Sequence, residues 1–187
     1  CEARNTEADF YKGHETLFPT APIGSATSKD HGDIDLVVKS SRDGGKTWLP
    51  MSVVADDKYN TCGNPAPVVD EDGTIHLFWC WQAFPNTVDS NLFPALPSDG
   101  HTRRVMYSRS TDDGVTWSTP VDMTATLKDP SWTWYATGPC HAIRIASGKY
   151  AGRLVVPCNH RDPSNKINYS HCVYSDDHGA TWRQTST

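Results

Sequence analysis

Ser110-Thr-Asp112-Asp-Gly114-Val-Thr116-Trp117 is the stretch that decides the fold, because the chain repeats its pattern twice more. The pattern S-x-D-x-G-x-T-W, which we call a box, also starts at Ser41 and at Ser175. A structural repeat determines the architecture before any other signal, and three copies in phase indicate one. The boxes place six residues in equivalent positions: Asp43 and Trp48, Asp112 and Trp117, and Asp177 and Trp182.

Each box is predicted to form a tight turn between two antiparallel strands. The Asp carboxylate can accept hydrogen bonds from nearby backbone N–H groups, and the Gly supplies a positive φ. The Thr-Trp pair favours a strand, and the large indole can anchor the hairpin to neighbouring core. Residues with alternating polarity precede each box, over 35–41, 104–110 and 169–175, as expected of half-buried strands. The boxes are therefore predicted to stabilise the fold rather than to catalyse a reaction.

The remaining pattern predicts four strands per repeat. Further strands are predicted over 64–69 and 74–80 before the second box, and over 140–145 and 152–158 before the third. No helix is predicted, because no apolar stripe of helical period runs free of Pro and Gly. Four-stranded antiparallel units in tandem are typical of propeller blades, so the predicted fold is an all-β β-propeller arc of about three blades.

The length predicts a partial domain. The box tryptophans are 69 and 65 residues apart, so 187 residues hold fewer than three blades. Closed propellers need about four to eight blades. We therefore expect residues 1–187 to form one propeller domain that is incomplete at both ends. Such an arc exposes sheet edges and should be marginally stable on its own.

Composition excludes several classes of function. The net charge is −5 and there is no basic run, which disfavours nucleic acid as a partner. No apolar stretch reaches membrane-spanning length, and no signal peptide is visible. The six cysteines have neither zinc-site spacing nor the density of a disulfide scaffold, so free buried thiols are favoured and a disulfide stays possible. We expect no metal or cofactor, and interpret His141, His171 and His178 as structural or exposed.

The boxes resemble the Asp boxes of the sialidase (neuraminidase) superfamily, and other segments are similar to bacterial-type exo-α-sialidases. These segments are Glu2-Ala-Arg4, Asp30-His-Gly-Asp33-Ile-Asp35-Leu-Val, and Gly138-Pro-Cys-His141-Ala-Ile143 with Leu154-Val-Val-Pro-Cys-Asn159-His160. The resemblance covers nearly the whole chain. The chain departs from the family pattern at Cys140 and Ala142, where glycines are expected.

The resemblance implies a six-bladed propeller in the full-length family. It also implies hydrolysis of terminal α-linked sialic acid with retention of configuration. The expected partners are sialylated glycans, glycoproteins or glycolipids. Because such glycans face outward, a secreted, periplasmic or cell-surface location is expected.

The same resemblance assigns site residues. Asp30 would be the general acid/base that protonates the leaving glycosidic oxygen and later activates water. An arginine fork suits a planar carboxylate, and Arg4 would supply one. The other implied substrate-binding residues are Glu2, which would orient Arg4, Asn64 near the N-acetyl or glycerol group, and Asn159 with His160 lining the pocket. Relatives place further arginines, an activating Glu and a Tyr nucleophile in segments outside these 187 residues.

Several assignments have alternatives. Asp9 competes with Asp30, although the separation of thirteen positions from Asp30 to Asp43 favours Asp30. Arg4 could instead form a surface salt bridge, and Asn64 beside Pro65 also fits an ordinary turn.

Other residues have less definite roles. Trp132, Trp134 and Tyr135 fit an aromatic rim or a core equally well. Asp33 and Asp35 are predicted to be solvated strand residues, with Asp33 close enough to perturb Asp30.

Two other functions fit the pattern. The first is a non-catalytic propeller that binds carbohydrate or protein, and the second is a relative that transfers sialic acid to an acceptor. Glu2 and Arg4 together with Asp30 favour an enzyme, because a binding module has no need for them.

Overall fold

The computed structural model describes residues 1–4, 33–58, 60–83, 90–93 and 103–185, and its regular structure is almost entirely β. Asp30 and Asp9 lie outside these residues. The strands are β1 (Glu2–Arg4), β2 (Ile34–Val38), β3 (Ser52–Ala55), β4 (Thr61–Val69), β5 (Ile75–Gln82), β6 (Arg104–Ser110), β7 (Val121–Asp122), β8 (Trp134–Thr137), β9 (Ile143–Arg144), β10 (Leu154–Arg161), β11 (Asn168–Ser175) and β12 (Arg183–Gln184).

The strands form tandem antiparallel units, which confirms the blade prediction. In the second blade, β4, β5, β6 and β7 pair in chain order. In the third blade, β10, β11 and β12 pair in order, with β8 and β9 both paired to β10. The first blade contains β1, β2 and β3 among the described residues, and it meets the second through one parallel pair, Ile34 with Thr61.

The prediction of no helix is wrong at one short segment. A single-turn helix, α1 (Thr124–Leu127), follows β7, and its Leu127 is fully buried. One turn is too short to produce the helical periodicity on which the prediction depended. In the part of the chain that the structure describes, no helix has the length and apolarity to cross a bilayer.

The inner strand of the third blade also differs from the prediction. A continuous strand was expected over 140–145, but the chain pairs with β10 in two separate pieces, β8 and β9. Gly138 lies between them with φ +61, and a Cβ there would lie 2.9 Å from the backbone N of Cys140. This left-handed turn interrupts the strand, so β8 begins earlier than the pattern indicated.

The boxes form the predicted turns through one repeated set of hydrogen bonds. In the second box, the Asp112 carboxylate accepts the Thr116 backbone N–H at 2.9 Å and the Thr116 hydroxyl at 2.5 Å. The Ser110 hydroxyl donates to Asp112 and accepts the Gly114 N–H at 2.9 Å. These bonds, the Thr116 hydroxyl first, lower the pKa of Asp112 to about 2. The equivalent Asp43 and Asp177 have the same bonds and similar pKa values.

The box tryptophans pack between blades. Trp182 is 5% exposed and meets Phe78 of the second blade edge-on, with ring centroids 4.6 Å apart. Trp117 packs against the cluster that contains Leu36 of the first blade. Trp48 is 58% exposed, so the expected anchoring does not hold for it. The partner of a box tryptophan comes from the blade before it, and the described residues contain no blade before Trp48.

The thiol prediction is right in part. All six cysteines lie in the described residues and are free. Cys62, Cys80 and Cys158 are buried, as expected of small apolar core residues. Cys1 and Cys140 are exposed, which contradicts the expectation of burial for these two.

Gly179 and Gly114 offer a matched test of the contact between the second and third blades. Both have φ +79, so alanine at either position incurs the left-handed penalty of about 1–2 kcal/mol. At Gly114 a Cβ would make ordinary contacts at 3.7 Å or more, whereas at Gly179 it would lie 2.6 Å from Nδ1 of His76. His76 is 1% exposed and is held by a 2.7 Å bond to the Tyr107 hydroxyl, so it cannot yield freely. Gly179→Ala should therefore lower the free energy of unfolding by roughly 1–3 kcal/mol more than Gly114→Ala.

Urea unfolding of the two variants measures this difference. Equal losses of stability would show that His76 moves aside at little cost.

The prediction that Asp35 is a solvated strand residue is wrong, because the structure buries it. Its side chain is 4% exposed on β2, and its Oδ1 has no hydrogen-bond partner among the described residues. Burial first, then the nearby carboxylates of Asp56 and Asp33, raise the pKa of Asp35 to about 8. The alternating pattern placed Asp35 on the wrong face because it does not show that both faces of β2 are covered.

This buried carboxyl should make stability depend on pH. Folded Asp35 keeps its proton up to about pH 8, whereas unfolded Asp loses it near pH 4, so the folded state binds more protons between these values. Stability should therefore fall as pH rises through this window. Asp35→Asn should remove that part of the loss and raise the unfolding temperature at pH 8 relative to the original protein.

Thermal unfolding at pH 5 and pH 8 tests this, with the exposed box residue changed in Asp113→Asn as control. A pH profile that Asp35→Asn leaves unchanged would contradict the prediction.

Candidate functional site

A cavity of about 740 Å³ lies where the three blades meet. Three of the predicted substrate-binding residues, Glu2, Asn64 and Asn159, line it, and each comes from a different blade. Trp134 also faces it, and most of the remaining wall is aliphatic. A mostly apolar cavity with a few convergent polar groups has the character of a small-molecule site.

Asn64 is the most constrained residue of this wall. It sits in β4 with φ +56, at the register shift between Gly63 and Ala66 in the pairing with β5. Its backbone N–H donates to Glu2 Oε1 at 2.5 Å, and its carbonyl accepts the Thr137 hydroxyl at 2.6 Å. A bulge re-aims a side chain at the cost of local backbone strain. Asn64 therefore lies in a β-bulge whose backbone is hydrogen-bonded to two other blades, rather than in an ordinary turn.

Glu2 and Arg4 lie two residues apart on the short strand β1. Glu2 was expected to orient Arg4, and the structure shows it accepting a hydrogen bond from the Asn64 backbone. The backbone of Arg4 pairs with Ile34 at the start of β2. The Arg4 side chain, like Asp30 and Asp9, lies outside the described residues.

Arg103 is a site residue that the sequence analysis missed. It is 1% exposed, and its Nη1 donates to Asn64 Oδ1 while its Nε donates to Gln82 Oε1 at 3.1 Å. Its guanidinium carbon lies 4.0 Å from the ring centroid of Trp134, a cation–π contact. The available signal was weak, since Arg103 precedes a strand in a polar stretch that looks like a solvated strand end.

The pleat of β8 separates two aromatic residues. Trp134 is partly exposed and lines the cavity, and its indole N–H donates to Asn159 Oδ1 at 3.1 Å. Tyr135 is fully buried in the core. Successive side chains of a strand point to opposite faces, so Trp134 lines the cavity while Tyr135 belongs to the core.

His160 faces away from Asn159 for the same reason. It is 2% exposed and does not line the cavity. Its ring stacks on Trp132 with centroids 3.5 Å apart, and its Nδ1 lies 3.0 Å from Nδ1 of His171. The structure therefore separates His160 from the cavity wall to which Asn159 belongs.

The two buried histidines share a single proton between their Nδ1 atoms. Burial lowers the pKa of His160, and burial together with His160 lowers that of His171 to about 4. Both rings are thus neutral near pH 7, and one Nδ1 must donate while the other accepts. Nε2 of His171 lies 3.2 Å from the Tyr135 hydroxyl, which extends the network into the core. His171 is structural, as the sequence predicted, and the exposed His178 contacts Asp70 at 2.9 Å.

A substitution at Glu2 tests the support of Asn64. Glu2→Ala removes the acceptor of a partly buried backbone N–H and should lower the free energy of unfolding by about 1–3 kcal/mol. Glu2→Gln keeps an oxygen acceptor and should cost clearly less. Urea unfolding compares the two variants, and equal losses would mean that the Asn64 N–H does not depend on Glu2.

The tandem four-stranded blades and the Asp-box turns define an Asp-box propeller fold, and the cavity shared by the blades is its candidate site. The family model described as "BNR repeat-like domain" matches residues 21–187. An exo-alpha-sialidase of Aspergillus fumigatus is 36% identical over 150 residues, covering 73% of this chain and 36% of that protein. A sialidase of Bacteroides fragilis is 30% identical over 172 residues, covering 85% and 30%.

A solved structure agrees with these sequence relatives. The Hadza microbial sialidase Hz136 superposes with a TM-score of 0.70 at 30% identity, covering 85% of this chain and 32% of that one. The chain belongs to the BNR-repeat sialidase superfamily. It spans 36% and 30% of the length of these two relatives, and up to 48% of other curated sialidases that it matches.

Proposed function

We propose that this chain supplies the acid/base side of an exo-α-sialidase active site, with Asp30 as the general acid/base. The observation that carries the proposal is the cavity in which Glu2, Asn64 and Asn159 converge from three blades. The pairing of Arg4 with Ile34 supports it further. Asp30 lies four residues before Ile34 in the sequence, so the segment that carries it leads into the strand with which Arg4 pairs.

In the proposed reaction, the Asp30 carboxyl donates its proton to the glycosidic oxygen as the bond to the sialic acid anomeric carbon breaks. The alcohol aglycone then leaves neutral. The resulting Asp30 carboxylate next removes a proton from the water that attacks the same carbon, which regenerates the acid. Configuration is retained because a tyrosine nucleophile, in a part of the family fold outside these residues, would bond to the anomeric carbon as the glycosidic bond breaks, passing its phenolic proton to the activating Glu. The attacking water then breaks this tyrosine–carbon bond, and the phenolate recovers its proton from that Glu.

The substrate-binding residues would have complementary roles. Arg4 would attract the sialic acid carboxylate, for which a guanidinium is a better partner than a lysine ammonium. Asn64 and Asn159 would hydrogen-bond to the polar substituents of the sugar from the cavity wall. His160 would act indirectly, because its ring cluster packs behind the strand that presents Asn159.

The relatives that the chain matches are sialidases, which supports sialylated glycans, glycoproteins or glycolipids as substrates. Transfer of sialic acid to an acceptor uses the same acid/base steps with a sugar hydroxyl in place of water. We propose hydrolysis as the main reaction. A secreted, periplasmic or cell-surface location follows from the outward position of sialoglycans.

Replacement of Asp30 tests the acid/base role in the full-length protein. Asp30→Ala should lower kcat for a natural sialoside such as sialyllactose by roughly 10²–10⁴-fold. The loss should be smaller for an aryl sialoside, whose good leaving group needs less help from an acid. The unfolding temperature should stay unchanged.

Asp9→Ala is the matched control and should retain activity. Near-normal activity of Asp30→Ala with loss in Asp9→Ala would transfer the role to Asp9. Binding of sialosides without any turnover by the original protein would favour the non-catalytic propeller, and formation of a new sialoside from an added acceptor would favour transfer.

A further inference from the structure

We infer that Arg103 and Trp134 fix the orientation of two asparagine amides, so that the cavity wall presents N–H donors to its ligand. Arg103 is on this view a positioning residue that acts through Asn64. The inference rests on the proposed function in one respect, since it takes the ligand to be a sialic acid. It goes beyond that function by stating which chemical groups the wall selects.

The orientation of Asn64 follows from what an arginine can do. A carboxamide has an oxygen that accepts and a nitrogen that donates, at two ends of nearly equal shape. The guanidinium of Arg103 can only donate, and its Nη1 bonds the Asn64 side chain. The amide oxygen must therefore face Arg103. The Nδ2 group is left for the cavity that Asn64 lines.

Asn159 is oriented by the same logic. The indole N–H of Trp134 can only donate, and it lies 3.1 Å from Asn159 Oδ1. Within the described residues, neither Asn64 Nδ2 nor Asn159 Nδ2 makes a hydrogen bond to protein. Two amide groups thus keep unused donors on one wall of the cavity.

Arg103 is itself held in place and connects the two asparagines. Its Nε donates to Gln82, its guanidinium stacks on Trp134, and its carbonyl accepts the buried Lys128 ammonium at 2.9 Å. A rigid donor discriminates better than a mobile one, because it cannot turn to suit a wrong ligand.

The ligand that fits this wall is an anionic sugar rich in acceptor oxygens. Ring hydroxyls, an acyl carbonyl oxygen and a carboxylate can all accept from Asn64 and Asn159. A group that can only donate, such as an ammonium, would meet two N–H groups and be rejected.

The test is a double-mutant cycle on ligand binding in the full-length protein, with free sialic acid titrated calorimetrically. Arg103→Met and Asn64→Ala should each raise the Kd about tenfold, which corresponds to loss of one oriented hydrogen bond. In the Asn64→Ala background, Arg103→Met should change the Kd by no more than about twofold, because its effect passes through Asn64. Arg109→Met, the same change at an exposed residue of β6, should leave the Kd unchanged. Additive losses in the double variant would overturn the positioning role.

Asn64→Asp provides an independent variant that should keep the fold. One carboxylate oxygen can still accept from Arg103, while the other places a negative acceptor where Nδ2 was. Sialic acid binding should be lost while the unfolding temperature is kept or raised, and unchanged binding would contradict the inferred orientation.

If the original protein neither binds nor cleaves sialosides, the proposed function fails. The same cycle measured by urea unfolding then decides whether Arg103 holds Asn64, through coupling or additivity.

Discussion

The packing of a box tryptophan on the blade before it is the contact on which the rest of the structure depends. A single four-stranded sheet of this size buries little apolar surface, so each blade needs a neighbour. Trp182 provides that contact by meeting Phe78 and Tyr107 of the second blade. The indole can reach them because the Asp177 turn holds it at a fixed angle at the end of β11. The hydrogen bonds of the box therefore form the turn and also set the direction of the tryptophan that follows it.

Once the blades are held together, their polar groups meet at the cavity. Asn64 receives contacts from the first blade through Glu2 and from the third blade through Thr137. Arg103 adds a contact from the second blade. A residue with a left-handed backbone and partners from three blades can keep its position only if the blades keep theirs. The position of Asn64 in the cavity wall therefore depends on how the three blades pack against one another.

The sequence predicted the repeated elements of the fold, and it missed individual residues whose surroundings occur only once in the molecule. The strands around each box followed from alternation and from turn residues, which depend on local chemistry alone. Arg103 and Asp35 were missed because their burial depends on elements far away in the chain. His160 was assigned to the same wall as Asn159 because the two are adjacent in a family motif. Adjacent residues of a strand point to opposite faces, so only one of them can face the cavity. Asp30 remains a prediction from resemblance.

The unusually acidic carboxyls of the three boxes have a consequence for where such a protein can work. Asp43, Asp112 and Asp177 have pKa values of about 2, so they stay ionised and keep their acceptor bonds throughout the mildly acidic range. A carboxyl with a lowered pKa stabilises the fold above its unfolded value near 4, and this contribution disappears only as pH falls through about 2. The hydrogen bonds that form the blade turns therefore persist in mild acid. The pH must therefore fall well below the range in which ordinary carboxyls titrate before protonation of the box carboxyls loosens these turns.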